Sequence, residues 1–206
     1  MIRVKVCGIT NVRDALAAAD LGASAVGLVF WPSSPRCIDV ATARSIVRAL
    51  PPFVAAVGVF VNQEDPRRIA ERAGLHVIQL HGDETPRSYR DWAIPVIKAV
   101  AVRDRLAIDA AQSVPAGATV LLDAHDPEKR GGTGHRVDWT IASEIASRRN
   151  VILSGGLNPG NVAEAIAVVK PSAIDVSSGV ELAPGRKDHA KMRELFESIL
   201  ALGLRP

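Results

Sequence analysis

The sequence places a thiol and a carboxyl group at the ends of two predicted buried strands. Cys7 closes the first strand, and Lys5 lies two residues earlier on the same strand face, where its charge would favour the thiolate that a base or nucleophile requires. Asp123 closes the sixth strand on the face of Leu121. A carboxyl that points into a protein interior costs free energy unless it is paired or functional. We therefore predict Cys7 and Asp123 as catalytic residues.

Each of these residues also has a purely structural interpretation. A buried cysteine is more often a small apolar side chain than a catalyst, and only that role is assigned to Cys37. Asp123 would serve structure alone if it neutralised an inward lysine such as Lys98. Asp126, three residues further along the chain, is the rival candidate for the acid.

Three further polar residues lie at predicted strand ends. Asp175 is expected to neutralise Lys5 inside the fold. The planar guanidinium of Arg36 is suited to clamp a carboxylate, and the alternative for it is a solvated loop charge. Two roles stay open for His81, a bond to substrate and a bond to a backbone carbonyl.

Two loops rich in small residues follow the seventh and eighth predicted strands, where barrels of parallel strands usually bind phosphate. Glycine lets backbone N–H groups approach an anion closely, and a helix N-terminus adds a favourable dipole. The predicted phosphate ligands are Gly155, Gly156, Ser177, Ser178 and Gly179. A third glycine-rich loop, 131–134, is predicted to cover the site.

Short apolar runs alternate with helical patterns along the whole chain. The runs are rich in Val, Ile and Leu and predict strands at 3–7, 25–29, 54–60, 76–80, 94–100, 118–122, 151–154 and 173–176. Helices are predicted after Asn11, at 40–50, from Pro66 to Gly74, after an Asn158 cap with Pro159 as first residue, and at 188–201. Eight strands alternating with helices in 206 residues favour an α/β fold, the (β/α)8 TIM barrel, as a single domain over 1–206.

The composition excludes several classes of function. The 25 basic and 22 acidic residues give a net charge of +3 without basic runs, which argues against nucleic-acid binding. No apolar run approaches the roughly 20 residues of a membrane span. Two cysteines are too few for a disulfide framework and indicate a reducing compartment, so a cytoplasmic location is expected.

An ordered series of motifs resembles the phosphoribosylanthranilate isomerases of tryptophan biosynthesis almost from end to end. The motifs are Lys5-Val6-Cys7-Gly8-Ile9-Thr10, Gly27-Leu28-Val29-Phe30, Ser34-Pro35-Arg36, Gly58-Val59-Phe60, Gln79-Leu80-His81-Gly82, Leu121-Leu122-Asp123, Gly131-Gly132-Thr133-Gly134, Asp138-Trp139, Ser154-Gly155-Gly156-Leu157, Asp175-Val176-Ser177-Ser178-Gly179-Val180-Glu181 and Pro184-Gly185-Arg186-Lys187-Asp188. Val137 stands where the family often carries phenylalanine.

The resemblance implies an Amadori rearrangement of N-(5-phosphoribosyl)anthranilate to 1-(2-carboxyphenylamino)-1-deoxyribulose 5-phosphate. Asp123 would be the general acid and Cys7 the general base. Arg36 would hold the anthranilate carboxylate and the two glycine loops the phosphate. The reaction involves no net redox change, so no cofactor and no metal are expected. The expected partner is a small phosphorylated substrate, and the chain is expected to be a monomer or a homodimer.

Two other functions fit parts of the sequence. A lyase resembling indole-glycerol phosphate synthase needs a catalytic lysine and a glutamate at strand ends. The chain offers Lys98, but the first strand ends in a cysteine instead of an acid. The second alternative is a phosphate-binding barrel without catalysis.

Overall fold

A computed structural model describes residues 1–124 and 137–204. The strands are β1 (Arg3–Cys7), β2 (Ala25–Val29), β3 (Ala55–Phe60), β4 (Val77–Leu80), β5 (Val96–Val102), β6 (Ala118–Ala124), β7 (Val151–Leu153), β8 (Ala173–Val176), β9 (Glu181–Ala183) and β10 (Arg186–Lys187). The helices are α1 (Val12–Asp20), α2 (Val40–Ala49), α3 (Pro66–Ala73), α4 (Pro86–Tyr89), α5 (Leu106–Ser113), α6 (Trp139–Ala146), α7 (Val162–Val169) and α8 (His189–Leu200). Asp126 and the 131–134 loop lie outside the described residues.

Strands β1 to β8 form a closed barrel of parallel strands. Closure is visible at β1, where Lys5 is in register with Ala25 of β2 on one side and with Asp175 of β8 on the other. The predicted (β/α)8 barrel is confirmed, and every predicted strand matches an observed one to within two residues at each end. Parallel strands buried on both faces read as continuous apolar runs, which is why the sequence located them well.

The apolar core has two parts, one inside the barrel and one between the barrel and its helices. The inner part is built from small and branched side chains: Val57, Ile97, Leu121 and Ile152, with Ala25, Val77, Ala99 and Ala173 against them. Since Ile97 and Ala99 point inward, Lys98 between them points to the outer face of β5. There its Nζ donates to Glu84 Oε2 at 2.9 Å and to the Gly82 carbonyl at 2.6 Å. The idea of Lys98 as an inward partner for Asp123 is therefore wrong.

The start of the seventh helix differs from the prediction. Asn158-Pro159 is a typical helix-opening pair, but α7 begins only at Val162. The Asn158 side chain accepts from the Gly160 N–H instead, and Asn161 Nδ2 donates back to the Gly156 carbonyl. These local bonds hold 158–161 as a turn. The helix itself buries Val162 and Val169.

The hairpin of β9 and β10 was not predicted, because strands of three and two residues give no periodic signal. It packs beside the carboxyl end of β1: Thr10 Oγ1 donates to the Gly185 carbonyl, and the Lys187 N–H donates to Asp14 Oδ2. Among the described residues, none of the helices has the length and apolarity needed to cross a membrane.

Candidate active site

Cys7 and Asp123 line the same cavity at the carboxyl ends of the barrel strands. The cavity is open to solvent at the mouth of the barrel. Its walls also include Val29, Trp31, Ser34, Arg36, Val59, Val61, Gln79, His81, Ser154, Asp175 and Ser177. The strand alternation that predicted Cys7 and Asp123 as inward groups thus brings a thiol and a carboxyl to one cavity.

The thiol of Cys7 fits because the neighbouring strand carries a glycine. A Cβ atom added at Gly27 of β2 would lie 2.6 Å from Cys7 Sγ, far inside van der Waals contact. Any side chain at this position would displace the sulfur. Gly27 therefore fixes where the thiol lies at the mouth of the barrel.

A buried ion pair lies directly beneath the thiol. Lys5 Nζ donates to Asp175 Oδ1 at 2.9 Å, and each side chain is only 5% exposed, as expected from the sequence. Burial alone would lower the pKa of Lys5, but the charges and hydrogen bonds of Asp175 and Cys7 outweigh burial and raise it. Lys5 is therefore a permanent cation next to the sulfur.

The protonation of Cys7 differs from the sequence-based expectation. Burial raises the pKa of the thiol, Lys5 and Lys187 lower it, and Asp175 raises it again, with a net increase above the ordinary value. Lys5 does favour the thiolate, as expected, but its effect is smaller than that of burial. In the ligand-free site the neutral thiol is the favoured form.

Arg36 is held from behind by a buried glutamate. Its Nε donates to Glu181 Oε1 at 2.9 Å and its Nη2 to Oε2 at 2.6 Å, a two-point contact. Lys187 Nζ, on a fully buried side chain, donates to the same Oε1 at 2.7 Å. The alternative of a solvated charge is wrong, because Arg36 is 8% exposed. Arg36 and Lys187 thus share one buried carboxylate, which holds the guanidinium at the wall of the cavity.

Glu181 stays ionised in this cluster. Burial alone would raise the pKa of Glu181, but the hydrogen bonds from Arg36 and the charge of Lys187 outweigh burial and hold the pKa below its ordinary value. Since the carboxylate uses both oxygens to fix Nε and Nη2, the guanidinium presents its Nη1 edge to other acceptors.

Within the described residues the ring of His81 contacts two side chains and not a backbone carbonyl, and its bond to substrate stays a prediction. Its Nε2 lies 3.0 Å from Asp123 Oδ2, and its Nδ1 lies 2.9 Å from Gln79 Nε2. Asp123 Oδ1 accepts from the Ala124 N–H at 2.9 Å. Both oxygens of the candidate acid are therefore held, one by a histidine and one by the backbone.

The structure brings the two small-residue loops into contact with each other. A Cβ at Gly179, in the loop after β8, would lie 1.9 Å from the Leu157 carbonyl oxygen in the loop after β7. Gly155 has a φ of 84°, a value that favours glycine. Ser154 and Ser177 carry the loops to the wall of the cavity.

Three buried residues of this site were not singled out from the sequence: Gln79, Glu181 and Lys187. A polar residue within the predicted strand 76–80, on the face of His81, was a signal that could have indicated Gln79. For Glu181 and Lys187 no periodicity was available, because the hairpin that carries them was not predicted.

The barrel and the site define a class: a (β/α)8-barrel enzyme equipped for acid–base chemistry on a small anionic molecule. The thiol and the carboxyl supply proton transfer, and Arg36 with the small-residue loops supplies contacts suited to anions.

Comparison with known proteins narrows this class to one family. Residues 4–198 match the family model described as N-(5'-phosphoribosyl)anthranilate (PRA) isomerase. The chain is 48% identical over 194 residues to the N-(5'-phosphoribosyl)anthranilate isomerase of Neisseria gonorrhoeae, covering 93% of each protein. The chain therefore belongs to the family of phosphoribosylanthranilate isomerases, enzymes of tryptophan biosynthesis.

Solved structures agree over the whole barrel. One is a phosphoribosyl anthranilate isomerase in complex with reduced 1-(o-carboxyphenylamino)-1-deoxyribulose 5-phosphate, with a TM-score of 0.86 and 44% identity over 99% of this chain and 100% of that one. Another describes mutually generated monomers of the dimeric enzyme from Thermotoga maritima, with a TM-score of 0.85 and 41% identity over the same shares of the two chains.

Proposed function

We propose that the chain catalyses the Amadori rearrangement of N-(5-phosphoribosyl)anthranilate with Cys7 as general base and Asp123 as general acid. The single observation that carries these roles is their position on one cavity, with Arg36 on the same wall. Residues 1–206 act in this proposal as one catalytic domain.

Asp123 begins the reaction by protonating the ring oxygen of the ribose. The bond between C1′ and the ring oxygen breaks, and the lone pair of the anthranilate nitrogen forms the iminium at C1′. The Cys7 thiolate then removes the proton from C2′, and the C–H electrons form the C1′=C2′ bond and neutralise the iminium. The resulting enolamine ketonises by moving the hydroxyl proton at C2′ to C1′, with no net oxidation.

These steps convert the carboxylic acid of Asp123 to a carboxylate and the thiolate of Cys7 to a thiol. The pair must therefore begin each turnover with one proton, on Asp123, and regain that arrangement through solvent. Because that proton count is fixed, kcat/KM should be level where the pair holds one proton and fall where it holds two or none. The raised pKa of Cys7 makes the thiolate a minor form, which the neighbouring lysines support.

Binding is assigned to the remaining polar walls. Arg36, fixed by Glu181, would bind the anthranilate carboxylate through its Nη1 edge. The backbone of Gly155, Gly156 and Gly179, with Ser177 and Ser178, would bind the phosphate. His81 would act through Asp123, which it contacts.

The proposed activity is tested by mixing purified protein with freshly made N-(5-phosphoribosyl)anthranilate and measuring the loss of anthranilate-derivative fluorescence. We expect a decay proportional to protein concentration and no formation of indole-glycerol phosphate. Ligand-dependent heat protection with constant fluorescence would instead show a binding protein. Indole-glycerol phosphate formation would show the lyase, which the outward position of Lys98 disfavours.

Assembly and location stay predictions. A related enzyme is dimeric, and for this chain a monomer and a homodimer both stay open. Gel filtration with light scattering decides between them. The cytoplasmic location rests on the two-cysteine composition, and fractionation of expressing cells tests it.

A further inference from the structure

Gln79 is the partner of the inner nitrogen of His81. The two residues are two positions apart, on the extension of one face of β4, and Gln79 Nε2 lies 2.9 Å from His81 Nδ1. The other ring nitrogen, Nε2, lies 3.0 Å from Asp123 Oδ2. An amide, an imidazole and a carboxyl thus form one line of hydrogen bonds into the cavity.

The amide determines where the imidazole carries its proton. An amide N–H is a donor, so Nδ1 must be the acceptor, and a neutral imidazole then has its proton on Nε2. In that tautomer Nε2–H donates to Asp123 Oδ2, which lies 3.0 Å away. In the opposite tautomer, Nε2 would be a bare acceptor facing the carboxyl.

The tautomer matters for the acid. A bare Nε2 would accept the proton of a protonated Asp123, and that proton would lie in the bond to His81 instead of facing the sugar. With Nε2–H as a fixed donor, His81 orients the carboxyl and cannot compete for its proton. An orienting hydrogen bond on the far nitrogen of a catalytic histidine has the same physical basis.

Gln79 is a buried polar residue whose hydrogen bonding is incomplete. It is 1% exposed and is in register with Ile97 of the barrel interior. Its Oε1 is buried and has no hydrogen-bond partner among the described residues. An apolar side chain would avoid that unpaired oxygen, which indicates that the amide is present for its contact with Nδ1.

We infer that Gln79 is a positioning residue that holds His81 in the Nε2–H tautomer and so keeps the proton of Asp123 available to the substrate. The inference rests on the proposed role of Asp123 as the acid. Gln79 itself does not touch the substrate in this scheme, because its action passes through His81.

The direct test is the ring ¹⁵N shifts of His81 in the uniformly labelled wild-type protein. The chain has five histidines, and the signals lost in His81→Asn identify the right pair. We expect Nδ1 to have the shift of an unprotonated nitrogen and Nε2 that of a protonated one. A protonated Nδ1 in the neutral ring would overturn the inference.

Two variants at Gln79 reverse or remove the contact. Gln79→Glu offers only acceptors, so the proton should move to Nδ1, and Gln79→Met should leave a mixture of tautomers. For both we expect kcat to fall about 10- to 100-fold, the range known for hydrogen-bond partners that orient metal-bound histidines, with KM within about threefold. An unchanged tautomer and unchanged kcat in folded Gln79→Met would refute the inference.

A matched control is Tyr89→Phe. Tyr89 is 2% exposed. Its hydroxyl is likewise buried without a hydrogen-bond partner among the described residues, His81 included. In Tyr89→Phe we expect the His81 tautomer and kcat to match the wild type. A tenfold loss of kcat in this variant would show that kcat responds to any buried polar group.

The proposed function can fail independently of this inference. If Asp123→Asn kept normal turnover, the assignment of Asp123 as the acid would be wrong, whatever the tautomer of His81.

Discussion

Removing the charge of Lys5 should destabilise the barrel and make Cys7 a weaker acid at the same time. Lys5 Nζ is 2.9 Å from Asp175 Oδ1 and both side chains are 5% exposed. In Lys5→Met the similar length of the new side chain preserves packing, but Asp175 is left as a buried charge without its partner. Two separate consequences follow, one for folding and one for the thiol.

The stability cost follows from the geometry of the pair. At an effective dielectric constant of about 20, two charges at this distance attract by about 6 kcal/mol. Breaking a buried pair from one side usually costs about 3–5 kcal/mol, since the structure relaxes in part. For a chain of this length that corresponds to a decrease in Tm of about 6–20 °C. The double variant Lys5→Met/Asp175→Asn should recover most of this loss.

The thiol responds in a direction that the site fixes. Lys5 lowers the pKa of Cys7 and Asp175 raises it, so loss of Lys5 removes one effect and leaves the other uncompensated. The pKa of Cys7 must therefore rise further in Lys5→Met. The assay is the rate of alkylation by iodoacetamide as a function of pH. It is carried out in a Cys37→Ser background, so that Cys7 is the one thiol that can be alkylated.

Lys98→Met is the matched control, because it also breaks a 2.9 Å pair, with Glu84, but on the outer face of β5. It should leave the alkylation profile of Cys7 unchanged. If the profile of folded Lys5→Met coincided with the wild type, or moved to lower pH, the electrostatic account of the thiol would be refuted.

Three further predictions concern Glu181, Arg36 and the residue that ends α7. Acidification should destabilise the protein through Glu181: its pKa is lowered in the fold, so its contribution is present above the ordinary glutamate pKa of about 4.3 and is lost as pH falls through the folded value. Between about pH 5 and pH 2, Glu181→Gln should therefore show a smaller decrease in Tm than the wild type, and an equal decrease would contradict this origin. Arg36→Lys keeps the charge but loses the two-point contact with Glu181; KM for the substrate should rise at least tenfold with kcat less affected, and an unchanged KM would remove Arg36 from binding. Lys170 ends α7 with a φ of 52°, so Lys170→Gly should raise stability by about 1 kcal/mol, measured as a Tm higher by about 2–4 °C.

The fold was predictable because strand and helix periods differ and the strands are continuous apolar runs. The same alternation predicted which side chains of β1, β6 and β8 point inward, and so the contact of Lys5 with Asp175. It failed for Lys98, because a run of apolar residues does not show which face of a strand is the inner one. The register of β5 relative to the neighbouring strands decides which face points inward, and this register cannot be predicted from the apolar pattern of the strand.

The partners of the polar groups could not be predicted. Glu181 binds Arg36 across 145 positions of the chain, and the hairpin that carries it is too short to show a period. The contact between Gln79 and His81 could have been predicted from strand alternation, since residues two positions apart along a strand share one face. Their contact with Asp123 spans 42 positions and depends on the closure of the whole barrel. Local rules therefore identify the candidate groups, and the tertiary fold determines their partners.

The most direct test of the central claim is the turnover of Cys7→Ala and Asp123→Asn, measured beside their binding of reduced 1-(o-carboxyphenylamino)-1-deoxyribulose 5-phosphate. If the two groups transfer protons to and from one bound sugar, each variant should fold, bind this ligand within a few-fold of the wild type, and lose roughly 10²–10⁴-fold in kcat. Either variant retaining near-normal kcat would contradict the claim.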